Sequence, residues 1–178
     1  MIKKITIGIG AVVGLLLIVG LVLPSKIHVE RSITIAAPQG TVFSALNGLR
    51  EFNKWSPWAK YDPNMTYTFS GPETGVGARM EWQSKEMGNG SQEIIAVEND
   101  QRITVALDFG EMGKATAYYA LQPAAASTQV TWGFDEDVGM NLLGRYFGLV
   151  MDSMIGKDYE KGLASLKSLL ETPAAQGG

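Results

Sequence analysis

The stretch 141–170, NLLGRYFGLVMDSMIGKDYEKGLASLKSLL, is apolar at Leu143, Phe147, Val150, Met151, Met154, Tyr159, Leu163, Leu166 and Leu170. That recurrence is helical, and Lys157, Asp158, Lys161 and Lys167 are interleaved with it. At 1.5 Å per residue the spacing predicts a helix of about 45 Å, long enough to lie across a whole sheet. Glycines at 144, 148, 156 and 162 lower helix propensity and point to close packing or a bend.

Upstream of this helix the period falls to two. In Arg102-Ile103-Thr104-Val105-Ala106-Leu107-Asp108-Phe109 the residues Ile103, Val105, Leu107 and Phe109 share one face, and Val130, Trp132 and Phe134 do the same further on. Six strands are predicted near 66–70, 77–84, 90–98, 102–109, 114–122 and 128–135. The turn signals between them are Gly71-Pro72, Met87-Gly88-Asn89-Gly90, Asn99-Asp100, Met112-Gly113 and the run from Pro123 to Ser127. An earlier strand, His28 to Ile35, sets Val29, Ile33 and Ile35 against Glu30, Ser32 and Thr34. Ala37-Pro38-Gln39-Gly40-Thr41 breaks it, and Pro38 suits the first turn of a short helix carrying Val42, Phe43, Leu46 and Leu49. That helix ends near Asn47-Gly48, with a further helical turn through Phe52 to Trp55.

Before the first strand, Ile5 to Leu23 is free of charge and proline, and nineteen helical residues can cross a hydrocarbon core of about 30 Å. A cleaved signal peptide is the competing reading. The apolar run exceeds the usual h-region of roughly 7 to 15 residues, and Val22-Leu23-Pro24-Ser25 offers no small-residue cleavage site. We therefore read 5–23 as an uncleaved, single-pass membrane anchor. The basic N-terminus with Lys3 and Lys4 favours the side facing the cytoplasm, which puts the domain outside it. Gly10 and Gly14 form a G-x-x-x-G spacing through which two such helices could pair as a homodimer; the alternative is that small residues are common in membrane helices.

The 178 residues contain no cysteine and one histidine, His28. Disulfides, thiolate nucleophiles and cysteine-ligated zinc are excluded, and a histidine-based metal site or a Ser-His-Asp triad would have to use that one imidazole. The formal net charge is −3, and Lys3 and Lys4 are the only charged side chains before Lys26, so the rest of the chain is more acidic still. Such a body has no electrostatic footprint for nucleic acid.

Strand, short helices, six strands and a long final helix is the element order of the helix-grip fold. The segments Val29 to Ile35, Ala37-Pro38, Val42-Phe43, Trp55-Ser56-Pro57-Trp58, Phe69-Ser70-Gly71-Pro72 and Gly75-Val76-Gly77-Ala78 resemble the polyketide cyclase/dehydrase and lipid-transport branch of the START-like (SRPBCC) superfamily. So do Asn141 to Arg145 and Met151 to Asp158. The resemblance covers roughly 28–170. It implies an α+β helix-grip fold, a curved antiparallel sheet of about seven strands wrapped around the C-terminal helix, here with one N-terminal transmembrane helix added. The chain divides accordingly into an anchor (1–24), the domain (25–172) and a disordered tail (173–178).

The resemblance also implies a mostly apolar cavity between sheet and helix. Alternation supplies candidates for its lining: Met80, Trp82, Leu107, Phe109, Tyr119, Trp132 and Phe134 from strands, with Phe147, Met151 and Met154 from the helix. Each could equally be ordinary core. Met140, Met151 and Met154 would make a soft, adaptable helix wall. Trp55 and Trp58 stand where the family places the rim of the cavity, as an aromatic lip or as tryptophans packed under a loop.

Groups for chemistry are few. Arg79 and Glu81 could polarise a carbonyl and relay a proton, but alternation turns them away from the face of Met80 and Trp82. Asp135-Glu136-Asp137 reads as a solvated turn, without calcium-loop spacing. We expect no catalytic residue, metal or cofactor, and His28 at the surface. The leading expectation is a membrane-anchored binding or carrier module for a hydrophobic small molecule or lipid. The alternatives are a cyclase or dehydratase-like enzyme on the same fold and a protein-interaction module of the cell envelope.

Overall fold

Period-two alternation produces seven strands in one antiparallel sheet, in a computed structural model that describes residues 2–172, without the side chains of 2–5. The elements are helix α1 (Ile2–Val22), strand β1 (Lys26–Ile35), helices α2 (Gln39–Leu46), α3 (Leu49–Trp55) and α4 (Trp58–Tyr61), strands β2 (Thr66–Ser70), β3 (Arg79–Ser84), β4 (Gly88–Glu98), β5 (Arg102–Asp108), β6 (Lys114–Ala124) and β7 (Ser127–Asp137), and helix α5 (Leu142–Glu171). The strand order is β1-β7-β6-β5-β4-β3-β2. β2 to β7 are sequential neighbours, as short turns dictate, and β1 returns to pair with β7, setting Val29 opposite Phe134 and Ile33 opposite Val130. The tail expected over 173–178 lies outside the described residues.

Two local expectations are corrected. Pro123 does not end β6: it pairs with Thr128 at the tip of the β6–β7 hairpin, where a proline is tolerated, and Ala125 makes the turn with φ 52°. Asp135-Glu136-Asp137 is not a turn but the end of β7, opposite His28, Ile27 and Lys26.

Helix α5 begins at an Asn141 cap whose side chain accepts from the Gly144 N–H at 3.1 Å. Its face towards the sheet is set by Gly148, Gly156 and Gly162. Built-in Cβ atoms there would meet Ile27, the Arg31 guanidinium and the Trp132 ring, respectively. Tyr159, Leu163 and Leu166 lie on the same side, buried against Val29, Ile35, Val130 and Trp132 in one core. Arg31, which points inward from β1, crosses Gly156 and holds Asp152 and Glu160 at 2.9 and 2.8 Å.

Among the described residues no helix is long and apolar enough to cross a membrane. The transmembrane helix expected over 5–23 is therefore not established, and Ile5, where it would begin, has its side chain outside the described residues. What the structure gives is a helix, Ile2–Val22, whose apolar side chains such as Ile9, Leu15 and Ile18 are exposed. Its end is tied to α5. Arg145 donates to the carbonyls of Leu21 at 2.7 Å and Leu23 at 3.1 Å, and the Tyr146 hydroxyl donates to the Leu16 carbonyl at 2.6 Å. Cβ atoms added at Gly10 or Gly14 would meet nothing within 4 Å, and the homodimer suggested there has no support in the fold.

Candidate functional site

Between the sheet and the helical layer lies a cavity of about 170 Å³. Its floor comes from cross-strand register. Met80, Gln92 and Leu107 stand side by side on β3, β4 and β5, and all three face the cavity. In the next row Trp82 pairs with Gly90. A Cβ at Gly90 would collide with the Trp82 indole and come within 2.7 Å of the Asp108 carbonyl oxygen. Glycine there lets the ring lie across the neighbouring strand, where it meets Phe109 edge to face at 6.0 Å. The opposite wall is helical: Phe52, Asn53, Ser56 and Trp58 from the α3–α4 corner, Ile155 and Tyr159 from α5. Met65, Met87, Tyr67 and Phe134 complete the lining.

Among the described residues no charged side chain lines this space. The polar groups are amides and hydroxyls. Gln92 is only 6% exposed, and its side chain's one hydrogen bond among the described residues is a long one from Nε2 to the Met80 sulfur at 4.0 Å. The hydroxyls of Ser56 and Tyr159, both on buried residues, have no hydrogen-bond partner among the described residues. Burial pushes the Tyr159 phenol well above the usual range, and the nearby Asp135 charge adds to the effect. Burial also raises Tyr67, with Asp62 contributing. Both phenols stay protonated at neutral pH.

The structure places Met80, Trp82, Leu107, Phe109, Phe134 and Trp58 on the cavity. Tyr119 and Trp132 are core, one layer behind it: Trp132 stacks on Tyr159 at 3.9 Å and meets Trp55 at 5.2 Å. Trp55, proposed as a lip, is 1% exposed and belongs to that aromatic cluster. The helix residues lie furthest from their expected places. Phe147 and Met154 are 62% and 56% exposed, and Met151 packs against the core without lining the cavity; Ile155 and Tyr159 take their place. One turn of helix carries apolar residues on both sides here, and the sheet reaches only the glycine-marked side.

Sequence reasoning also missed Phe52, Met65, Tyr67, Met87 and Gln92. Gln92 joins the site through strand register, as the cross-strand neighbour of Met80, which alternation turns inward. The pair Arg79 and Glu81 is outward, bonded to each other at 3.0 Å, with Glu93 at 3.3 Å from the arginine. His28 is surface-exposed, and among the described residues no cluster of His, Asp and Glu could hold a metal.

Similar architecture is found in truncated norcoclaurine synthase from Thalictrum flavum (TM-score 0.64, 11% identity, 86% of this chain and 98% of that one). The Aha1 dimer from Colwellia psychrerythraea aligns with TM-score 0.57 at 17% identity, over 85% of this chain and 99% of that one. DynU16, a protein of the dynemicin biosynthetic locus, aligns with TM-score 0.58 at 19% identity, over 82% of this chain and 47% of that one. At these identities the likeness establishes the fold alone. No curated protein matches the chain. The family model described as polyketide cyclase / dehydrase and lipid transport matches residues 26–171, from the first residue of β1 to the last of α5, and the chain belongs to that family.

Proposed function

We propose that this protein binds a hydrophobic small molecule or lipid in the cavity between β3–β5 and the α3–α5 wall, as a carrier or binding module. The observation that carries the reading is the lining itself: aromatic rings, methionines, amides and hydroxyls, with no carboxylate, imidazole, amine or guanidinium among the described residues. General acid–base catalysis needs a group that exchanges a proton near neutral pH. The two phenols in the wall are shifted away from that range. Arg31, which faces inward from β1, has its guanidinium occupied by Asp152 and Glu160.

The same proposal places the protein at a membrane, through α1 with its domain outside the cytoplasm. The exposed apolar side chains along α1 and the charge-free run 5–23 support this. A cavity tethered there meets lipidic molecules at high effective concentration.

The test is titration of the full chain, in detergent micelles, with the uncharged fluorophore 1-aminoanthracene. We expect saturable binding that Leu107→Trp abolishes while the unfolding temperature changes little. Equal binding by both chains, or none by either, refutes the cavity as the site.

A further inference from the structure

Resting on the binding reading above, we infer that the cavity selects an uncharged aromatic molecule carrying one oxygen function, a hydroxyl or carbonyl, and that Gln92 is the residue that recognises it. Gln92 occupies the middle of a row whose other members, Met80 and Leu107, are apolar. A leucine or methionine would fill that position at no polar cost. The carboxamide oxygen is not sealed inside the protein but opens onto the cavity, where a ligand can reach it. Buried polar groups in folded proteins are nearly always paired. This one has only a thioether at 4.0 Å, and it faces open volume. Its amide oxygen accepts from a hydroxyl and its amide N–H donates to a carbonyl, so either function completes it.

Charge is excluded by the same lining. A carboxylate or ammonium would leave water for a lining whose described residues offer no counter-charge to offset its desolvation. Fatty-acid anions and amines are thereby rejected. The ligand's body follows from the walls: the rings of Phe52, Trp58, Tyr67, Trp82 and Phe109 present flat faces and edges that suit another ring system.

The experiment compares naphthalene, 2-naphthol and 2-naphthoate by tryptophan quenching of the full chain in micelles, with Leu107→Trp as the blank. The wild-type chain should bind 2-naphthol about tenfold more tightly than naphthalene, the value of one hydrogen bond of roughly 1.4 kcal/mol. It should bind 2-naphthoate at least about tenfold more weakly than 2-naphthol. In Gln92→Met the affinities for 2-naphthol and naphthalene should become equal. Wild-type affinity for 2-naphthoate equal to that for 2-naphthol overturns the inference, as does a 2-naphthol preference that survives Gln92→Met. The ranking in the wild-type chain decides the matter even if the variant fails to fold. Absence of binding by all three probes overturns the binding reading itself.

Discussion

Trp132 and Tyr159 lie face to face, their ring centroids 3.9 Å apart and their planes 8° from parallel. The stack joins the centre of β7 to the middle of α5 and seals the core behind the cavity, so one ring, Tyr159, serves both. Close approach is possible because the next turn of α5 presents Gly162, whose absent Cβ would come within 2.7 Å of Trp132 and 3.1 Å of Pro57.

Gly162→Ala should therefore destabilise the domain. Alanine returns roughly 0.8–1 kcal/mol of helix propensity, whereas overpacking a rigid ring costs typically 1–3 kcal/mol. Urea unfolding should show a lower midpoint with an unchanged slope. A higher midpoint would mean that the indole gives way without cost.

Replacing Arg31 with methionine keeps a chain over Gly156 but removes the clamp to Asp152 and Glu160. Asp152 is held below the usual carboxylate range by that guanidinium. A lowered carboxyl pKa stabilises the folded state at pH values above about 4 and ceases to do so as pH falls through the folded value. The gap in unfolding temperature between wild type and Arg31→Met should be full at pH 7 and close in acid. A gap that persists undiminished at pH 2 would contradict the ion-pair account.

Gly90→Ala should disturb the cavity without replacing a lining side chain. The added methyl meets both the Trp82 ring and the fixed Asp108 carbonyl oxygen, so the ring must leave its place beside Phe109. We expect a loss of about 1–3 kcal/mol and a shifted tryptophan emission spectrum. Probe affinity should fall with them.

His28, the only histidine, bonds Asp135 through Nδ1 at 2.7 Å, with Glu30 at 3.5 Å from Nε2. Its pKa is raised, first by the Asp135 hydrogen bond and further by the charges of Asp135 and Glu30. The pair's stabilisation is complete below about pH 6.5 and is lost as pH rises through the higher folded value. Proton NMR should show the imidazole titrating above about 6.5, and Asp135→Asn should lower it. A wild-type midpoint below the ordinary value would rule out the contact.

The strands were legible because one buried face imposes strict alternation, and Arg102 to Asp108 displays it without interruption. The helix was legible in extent but not in phase. Between Leu143 and Met154 it is apolar on two sides, and spacing alone cannot say which one meets the sheet. The glycines could have said it: 148, 156 and 162 mark the pressed side, and Ile155, Tyr159 and Leu163 follow from them. Gln92 was hidden for another reason. β4 is irregular between Ile94 and Ala96, which breaks its alternation, and Ser91 and Gln92 are both buried. Trp55 shows the converse: a tryptophan in a helix–loop corner looks like a lip until the partners Phe52, Tyr119 and Trp132 are assembled around it.

Arg145 takes carbonyls that the end of any helix leaves without partners, and it does so from another helix while its Nε holds the Gly139 carbonyl at 2.8 Å. Only Leu23, Pro24 and Ser25 separate α1 from β1. A domain on a loose leash would swivel through many headings. This one has three ties to α1, the covalent joint, Arg145 and the Tyr146 hydroxyl, and they hold α5 against it. A change in the heading of α1 is therefore passed directly to α5, and with it to the Ile155 and Tyr159 wall of the cavity.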